Sequence, residues 1–290
     1  MKSAKTFAGF AVCLTLLIAA SSSFAQIVVR TATGATAADI TATRDAFRTD
    51  LGGGTVAGAN GSFGGLRREI NWDAVPANFA APNELPATFF NVNSPRGVLF
   101  STPGTGFQVS GASTDNGPGQ PAAANFGNID PSYTNTFSTF SPERLFTSLG
   151  SNITDVTFFV PGTTTPALTR GFGVVFSDVD LANATSIQLF GINQNLLGTF
   201  FVPNLTGNQT FSFLGISFDT PMISRVRILA GNTPLGPGAV DENGNVVDVV
   251  AMDDFIFGEP VPVPEPTTLV MLALGGGLLV RTLRKRHAAA

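Results

Sequence analysis

Cysteine and histidine occur once each in this chain, Cys13 near one end and His287 near the other, so the long region between carries neither. A body without thiols forms no disulfides and offers no thiolate to a metal or a substrate. Without imidazole it supports no Ser-His-Asp or Cys-His catalysis and no ordinary zinc or copper site. Tryptophan and tyrosine are equally scarce, with Trp72 and Tyr133 alone, whereas there are 26 phenylalanines. Sugar clefts draw on Trp and Tyr platforms, so this aromatic content reads as core. Charge is sparse too, at 12% of residues. Between Gln26 and Pro264 the chain holds 10 basic and 19 acidic side chains, a net −9. An acidic surface repels phosphate backbones, which excludes nucleic acid as a partner.

What is present at the N-terminus is an address. Lys2 and Lys5 precede an apolar run from Phe7 to Ala20, followed by Ser23 and Ala25 ahead of Gln26. This order of basic, apolar and small residues is that of a signal peptide, residues 1–25, cut by signal peptidase after Ala25. The run is shorter than the roughly 20 apolar residues of a membrane span.

The C-terminus has three parts in order. Prolines at 260, 262, 264 and 266 give a stiff extended stalk over 260–266. An apolar stretch over 267–283 follows, 17 residues long; as a helix it reaches about 25 Å, which snorkelling arginines extend toward a full span. A basic tail over 284–290 places that end in the cytoplasm. A plain single-pass anchor is one reading of this pattern. The motif Val263, Pro264, Glu265, Pro266, the short span with Gly275, Gly276 and Gly277, and the terminal RTLRKRH resemble the PEP-CTERM sorting signal of Gram-negative bacteria that make extracellular polysaccharide. That resemblance implies an exosortase as processing partner, an inner-membrane-anchored precursor, and a product at the cell surface or outside the cell.

The body, 26–259, reads as one mainly β domain. Residues 36–51 form its one convincing helix: Thr36 and Asp39 approximate a capping box, Ile40, Phe47 and Leu51 share a face, and Gly52 ends it. From Ile153 onward, apolar and β-branched segments recur at short intervals, with clear alternation in ISRVRI and TFSFLGISF. The spacing predicts an antiparallel β-sandwich or jelly roll, with the C-terminal hydrophobic helix outside it. VAMDDFIFGEP, Val250 to Pro260, resembles the closing strand of the galactose-binding-like and concanavalin-like sandwiches of exported bacterial proteins. The body as a whole, including RREINWDAVP, is similar to a PEP-CTERM group with no established activity, and such a fold implies no ligand by itself.

Three constellations are candidates for chemistry. Calcium is the ion that an oxygen-rich, thiol-free chain admits, and Asp178, Asp180, Asp253 and Asp254 are its candidate ligands, against solvated or loop-bonded acids as the alternative. Arg67 and Arg68 with Trp72 are candidate glycan contacts, such as to an extracellular polysaccharide; otherwise Trp72 is a core plug and the arginines pair with Glu69 or Asp73. A glycosidase needs only two carboxylates across a cleft, but no spacing sets Glu69, Asp73 and Glu143 in pairs. The expectation is a non-enzymatic exported matrix or surface protein, ahead of a calcium-supported carbohydrate-binding module and, further off, a carboxylate glycosidase.

Overall fold

The structure is a computed structural model that describes residues 26–112, 123–239 and 247–263. The signal peptide, most of the loop 113–124, the PEP motif beyond Val263, the C-terminal apolar stretch and the basic tail lie outside the described residues. Among the described residues no helix is long and apolar enough to cross a membrane.

The strands in chain order are β1 Ile27–Gly34, β2 Ser62–Phe63, β3 Arg67–Ile70, β4 Val98–Ser101, β5 Gly106–Val109, β6 Phe146–Leu149, β7 Ile153–Phe158, β8 Ala167–Leu168, β9 Gly171–Ser177 and β10 Ser186–Phe190. They continue with β11 Leu196–Phe201, β12 Phe211–Phe218, β13 Arg225–Leu229, β14 Ala251–Gly258 and β15 Val261–Pro262. Three helices accompany them, α1 Ala37–Asp50, α2 Phe89–Val92 and α3 Tyr133–Thr136.

Every ladder between named strands is antiparallel. One sheet runs β1-β12-β9-β14-β3-β2, with β6 joining β14 and carrying β5; the other runs β11-β10-β13-β7-β4. A two-stranded ladder of β15 and β8 stands beside them. The sheets face each other across a Phe-rich core that takes Phe172, Val174, Leu214 and Ile216 from the first and Val156, Ile187, Val226 and Ile228 from the second. The expected alternation holds in β13, where Val226 and Ile228 are buried and Arg225 and Arg227 turn outward.

β12 is buried along its whole length, and the reason is α1. Leu214, Ile216 and Phe218 enter the inter-sheet core, while Phe211 and Phe213 point to the opposite face and pack with Ile40 and Phe47 of the helix. The helix starts where the capping pattern predicts: the Thr36 backbone N–H donates to Asp39 Oδ2 at 2.8 Å and the Thr36 hydroxyl does the same at 2.8 Å. An Asp in place of Glu or Gln therefore suffices for the backbone half of the motif. Two cross-strand glycines, Gly173 in β9 and Gly215 in β12, form the seat of the Phe47 ring. A third cluster, around Phe126, Tyr133, Phe137 and Val249, closes one end of the sandwich.

Candidate functional site

Members of the three sequence-predicted constellations converge where Arg44 and Arg48 of α1 reach over to β14 and β3. β14 carries a bulge there. Met252 lies opposite Phe176 and Phe255 opposite Val174, so Asp253 and Asp254 together face the single residue Val175. One extra residue in a strand turns two successive side chains to one face. Met252, Phe255 and Phe257 accordingly point into the core, while Ile256 packs under α1. The two aspartates lie on the helix side, fully buried at position 253 and nearly so at 254.

Protein donors surround that pair. The Phe140 backbone N–H donates to Asp253 Oδ2 at 2.6 Å. Ser141 Oγ lies 3.0 Å from Asp253 Oδ1 and 2.9 Å from Asp254 Oδ1, so it bridges the two carboxyls. Arg44 of α1 reaches Asp254 at 3.4 Å with its guanidinium over the Phe140 ring. Burial pushes the Asp253 carboxyl well above the ordinary carboxylate range, and the neighbouring Asp254 charge adds to it. Asp254 is raised as well, by burial first. Like charges this close do not both ionise in a dry site, so the pair holds a proton between its two carboxyls.

A second layer flanks them. Glu69 receives Arg48 of α1 at 2.6 and 2.7 Å and also pairs with Arg67. Asp73 accepts the Glu143 backbone N–H at 2.6 Å and the Asn71 amide at 2.8 Å, and burial lifts its carboxyl to about 6. The cluster thus holds Asp73, Glu69 and the aspartate pair against Arg44, Arg48 and Arg67. Chemically it stores one proton in a buried carboxyl pair and fastens a helix to a sheet. None of the described cavities is lined by Asp253 or Asp254.

The structure places Arg67, Arg68 and Trp72, the candidate glycan contacts, in close contact with the rest of the fold. Trp72 is 1% exposed. Its ring stacks on Phe146 at 4.1 Å with Phe90, Phe100 and Phe255 around it, and its indole N–H donates to the Asp253 carbonyl at 2.8 Å. Arg67 is 2% exposed and donates to the Gly53 and Gly54 carbonyls at 2.9 Å each, over the Phe63 ring. Arg68 pairs with Glu259 at 2.8 Å and donates to the Pro95 carbonyl at 3.0 Å. These guanidiniums are fully committed to the fold.

The calcium ligands do not assemble into one site. Among the described residues no group of three or more acidic side chains is placed to hold a metal ion. Asp178, buried with a left-handed φ of 70°, and Asp180 lie in the turn after β9. Asp180 accepts the Gly207 backbone N–H at 2.8 Å. Asp248, which sequence reading passed over, accepts the backbone N–H groups of Asp180 and Leu181 at 3.2 Å each. Burial raises its carboxyl to about 6. Asp180 and the Asp253–Asp254 pair thus accept from loop donors, as the loop-bonding alternative has it.

The sequence does contain a signal for the bulge. Apolar residues in MDDFIF recur at an interval of three, Met252 to Phe255, before returning to two at Phe257, and an interval of three within a period-two strand is what an inserted residue produces.

No family model matches the chain, and no curated protein matches it. Among solved structures it is similar to a glycoside hydrolase family 43 arabinoxylan arabinofuranohydrolase from Bacillus subtilis, crystallised with cellotetraose, at 15% identity over 53% of this chain and 24% of that one, with a TM-score of 0.27. It is also similar to the enzymatically active domain of bacteriophage CBA120 tailspike protein 4, at 15% identity over 61% of this chain and 21% of that one, with a TM-score of 0.26. The chain spans less than a quarter of the length of either structure. Likeness at this level transfers no residue's role.

Proposed function

We propose that this protein is a non-enzymatic, exported β-sandwich protein of the cell surface or extracellular matrix, delivered by the signal peptide 1–25 and sorted through the PEP-CTERM signal by an exosortase. The observation that carries the reading is the tripartite tail: Val263-Pro264-Glu265-Pro266, a short apolar stretch and a basic end, in that order. The way the chain leaves the domain is consistent with it. Val261 and Pro262 pair with Leu168 and Ala167 at an exposed margin, and the Val263 backbone N–H donates to the Pro166 carbonyl at 3.2 Å. Among the described residues this is the last hydrogen bond to the domain, and a processing enzyme acting beyond Val263 leaves the described sandwich uncut.

The non-enzymatic part of the reading draws support from the enclosed aspartate pair and from the lack of His and Cys between residues 26 and 264. A calcium-supported carbohydrate-binding module has less behind it, because Asp180, Asp253 and Asp254 accept from protein donors and Trp72 is enclosed. Mass spectrometry of the protein from its native host tests the proposal. The expected product begins at Gln26 and ends upstream of Leu269; an intact tail retained in the inner membrane would overturn the sorting assignment.

A further inference from the structure

A cavity of about 380 Å³ lies between the segment that follows β3 and the segment running from α2 to β4. Its size is that of a small-molecule site. Trp72, Val75, Phe89 and Phe90 line it and are buried, and Phe79 is half-buried beside them. Asn71, Ala74, Pro76 and Asn93 also line it but are exposed, so they form its mouth. Asn71, Ser94 and Arg96 also line a second hollow on the far side, which places these three polar groups at the wall where the two cavities meet. The cavity therefore has an apolar, aromatic body and one polar end.

Arg96 at that end differs from the committed arginines nearby. Its guanidinium lies 4.8 Å from the Phe90 ring centroid and donates to Ser94 Oγ at 3.1 Å. Its Nε is buried and meets no acceptor. The backbone turns close above it at Gly61, where φ is 66° and a Cβ would stand 2.5 Å from that nitrogen. Burial first, and then repulsion from Arg68, which Glu259 already pairs, lower the Arg96 guanidinium to about 10. A partly desolvated guanidinium with an N–H that meets no acceptor is costly unless an anion accompanies it.

We propose that this cavity is a binding site for a small aromatic carboxylate, its ring against Phe79, Phe89 and Phe90 and its carboxylate on Arg96, with the Asn71 amide and Ser94 hydroxyl beside it. The ring requirement follows from the lining, which offers aromatic edges and few hydrogen-bond partners beyond the polar end. The carboxylate requirement follows from the guanidinium, a permanent cation whose remaining N–H groups suit an anionic oxygen. This site is separate from the aspartate pair and independent of how the tail is processed.

Phenylacetate is the probe, titrated into the protein purified from its host by calorimetry and by saturation-transfer NMR. The expected result is saturable binding with a Kd below about 1 mM, and binding of the neutral phenylacetamide or of inorganic phosphate weaker by about tenfold or more. Arg96→Gln should weaken phenylacetate by about tenfold or more with the fold retained by circular dichroism. Ala74→Trp leaves Arg96 in place and obstructs the exposed mouth, so it should abolish binding even where Arg96→Gln fails to fold. Absence of saturable phenylacetate binding, equal binding of phenylacetamide or phosphate, or full binding by folded Ala74→Trp would each overturn the assignment.

Discussion

Gly173 and Gly215 are paired across β9 and β12 beneath the Phe47 ring. A Cβ on either would stand 2.6 or 2.7 Å from a ring carbon, closer than packed side chains tolerate. Gly215→Val should therefore lift Phe47 out of its seat and destabilise the protein by about 1–3 kcal/mol or more. Chemical denaturation measures the loss. In a Phe47→Ala background the same glycine substitution should cost much less, because the clash has lost its partner; an unchanged cost would sink the account. Individual residues were unevenly legible from sequence. Ile40, Phe47 and Leu51 read directly as a buried helical face, and all three are buried. Trp72 read two ways, since an indole between charged neighbours suits a sugar platform as well as a core plug. Only the tertiary partners, Phe146 stacked on one face and the Asp253 carbonyl receiving its N–H, decide for the core.

At the scale of elements, α1 is held to the first sheet by charge as well as by its apolar face. Arg30 of β1 grips Asp50 at 2.8 Å, Arg44 reaches Asp254, and Arg48 meets Glu69 on β3. Glu69 is the pivot because it answers two cations, one of which, Arg67, is sealed from water. Glu69→Gln leaves that guanidinium buried without a countercharge, a loss of about 3–5 kcal/mol. Arg48→Gln removes only a partly solvated partner and should cost about 1 kcal/mol. Urea unfolding of the two variants checks the order, and an Arg48 variant as damaged as the Glu69 variant would contradict it. The strands β7 and β9 to β14 were legible because each carries its own alternation or β-branched run, bounded by turn residues such as Asn193 to Asn195, where Gly191 N–H donates to Asn195 O at 2.9 Å. The network of α1 was not. Arg44 and Asp254 are distant in sequence, and nothing local in either segment reports a pairing that the fold brings about.

For the molecule as a whole, the acids that folding takes out of water set the pH dependence of stability. Asp73 and Asp248 are raised to about 6, each by burial first, and Asp253 and Asp254 are raised for the same leading reason. In the unfolded chain these carboxyls return to about 4. The folded state then binds more protons than the unfolded state between those limits, so unfolding releases protons and stability falls as pH rises. The contribution is full below the unfolded value and lost through about 6 for Asp73 and Asp248, and Asp253 and Asp254 add a loss in the same direction. Asp39 and Asp130 oppose this below the ordinary carboxylate range, because hydrogen bonds from Thr36 and Ser132 lower them, but Asp39 is exposed, Asp130 is half-buried and both act on the acid side of the window. The net −9 of the body adds self-repulsion in the same direction as the raised acids. The urea midpoint should therefore be higher near about pH 5 than near about pH 8. Asp253→Asn supplies the decisive comparison. The amide keeps an acceptor for the Phe140 N–H and a donor toward Ser141 without any proton to lose, so the variant should match the parent near pH 5 and exceed it near pH 8. A parent more stable at the alkaline end, or an Asn variant with an unchanged slope, would mean that the buried pair does not hold a proton.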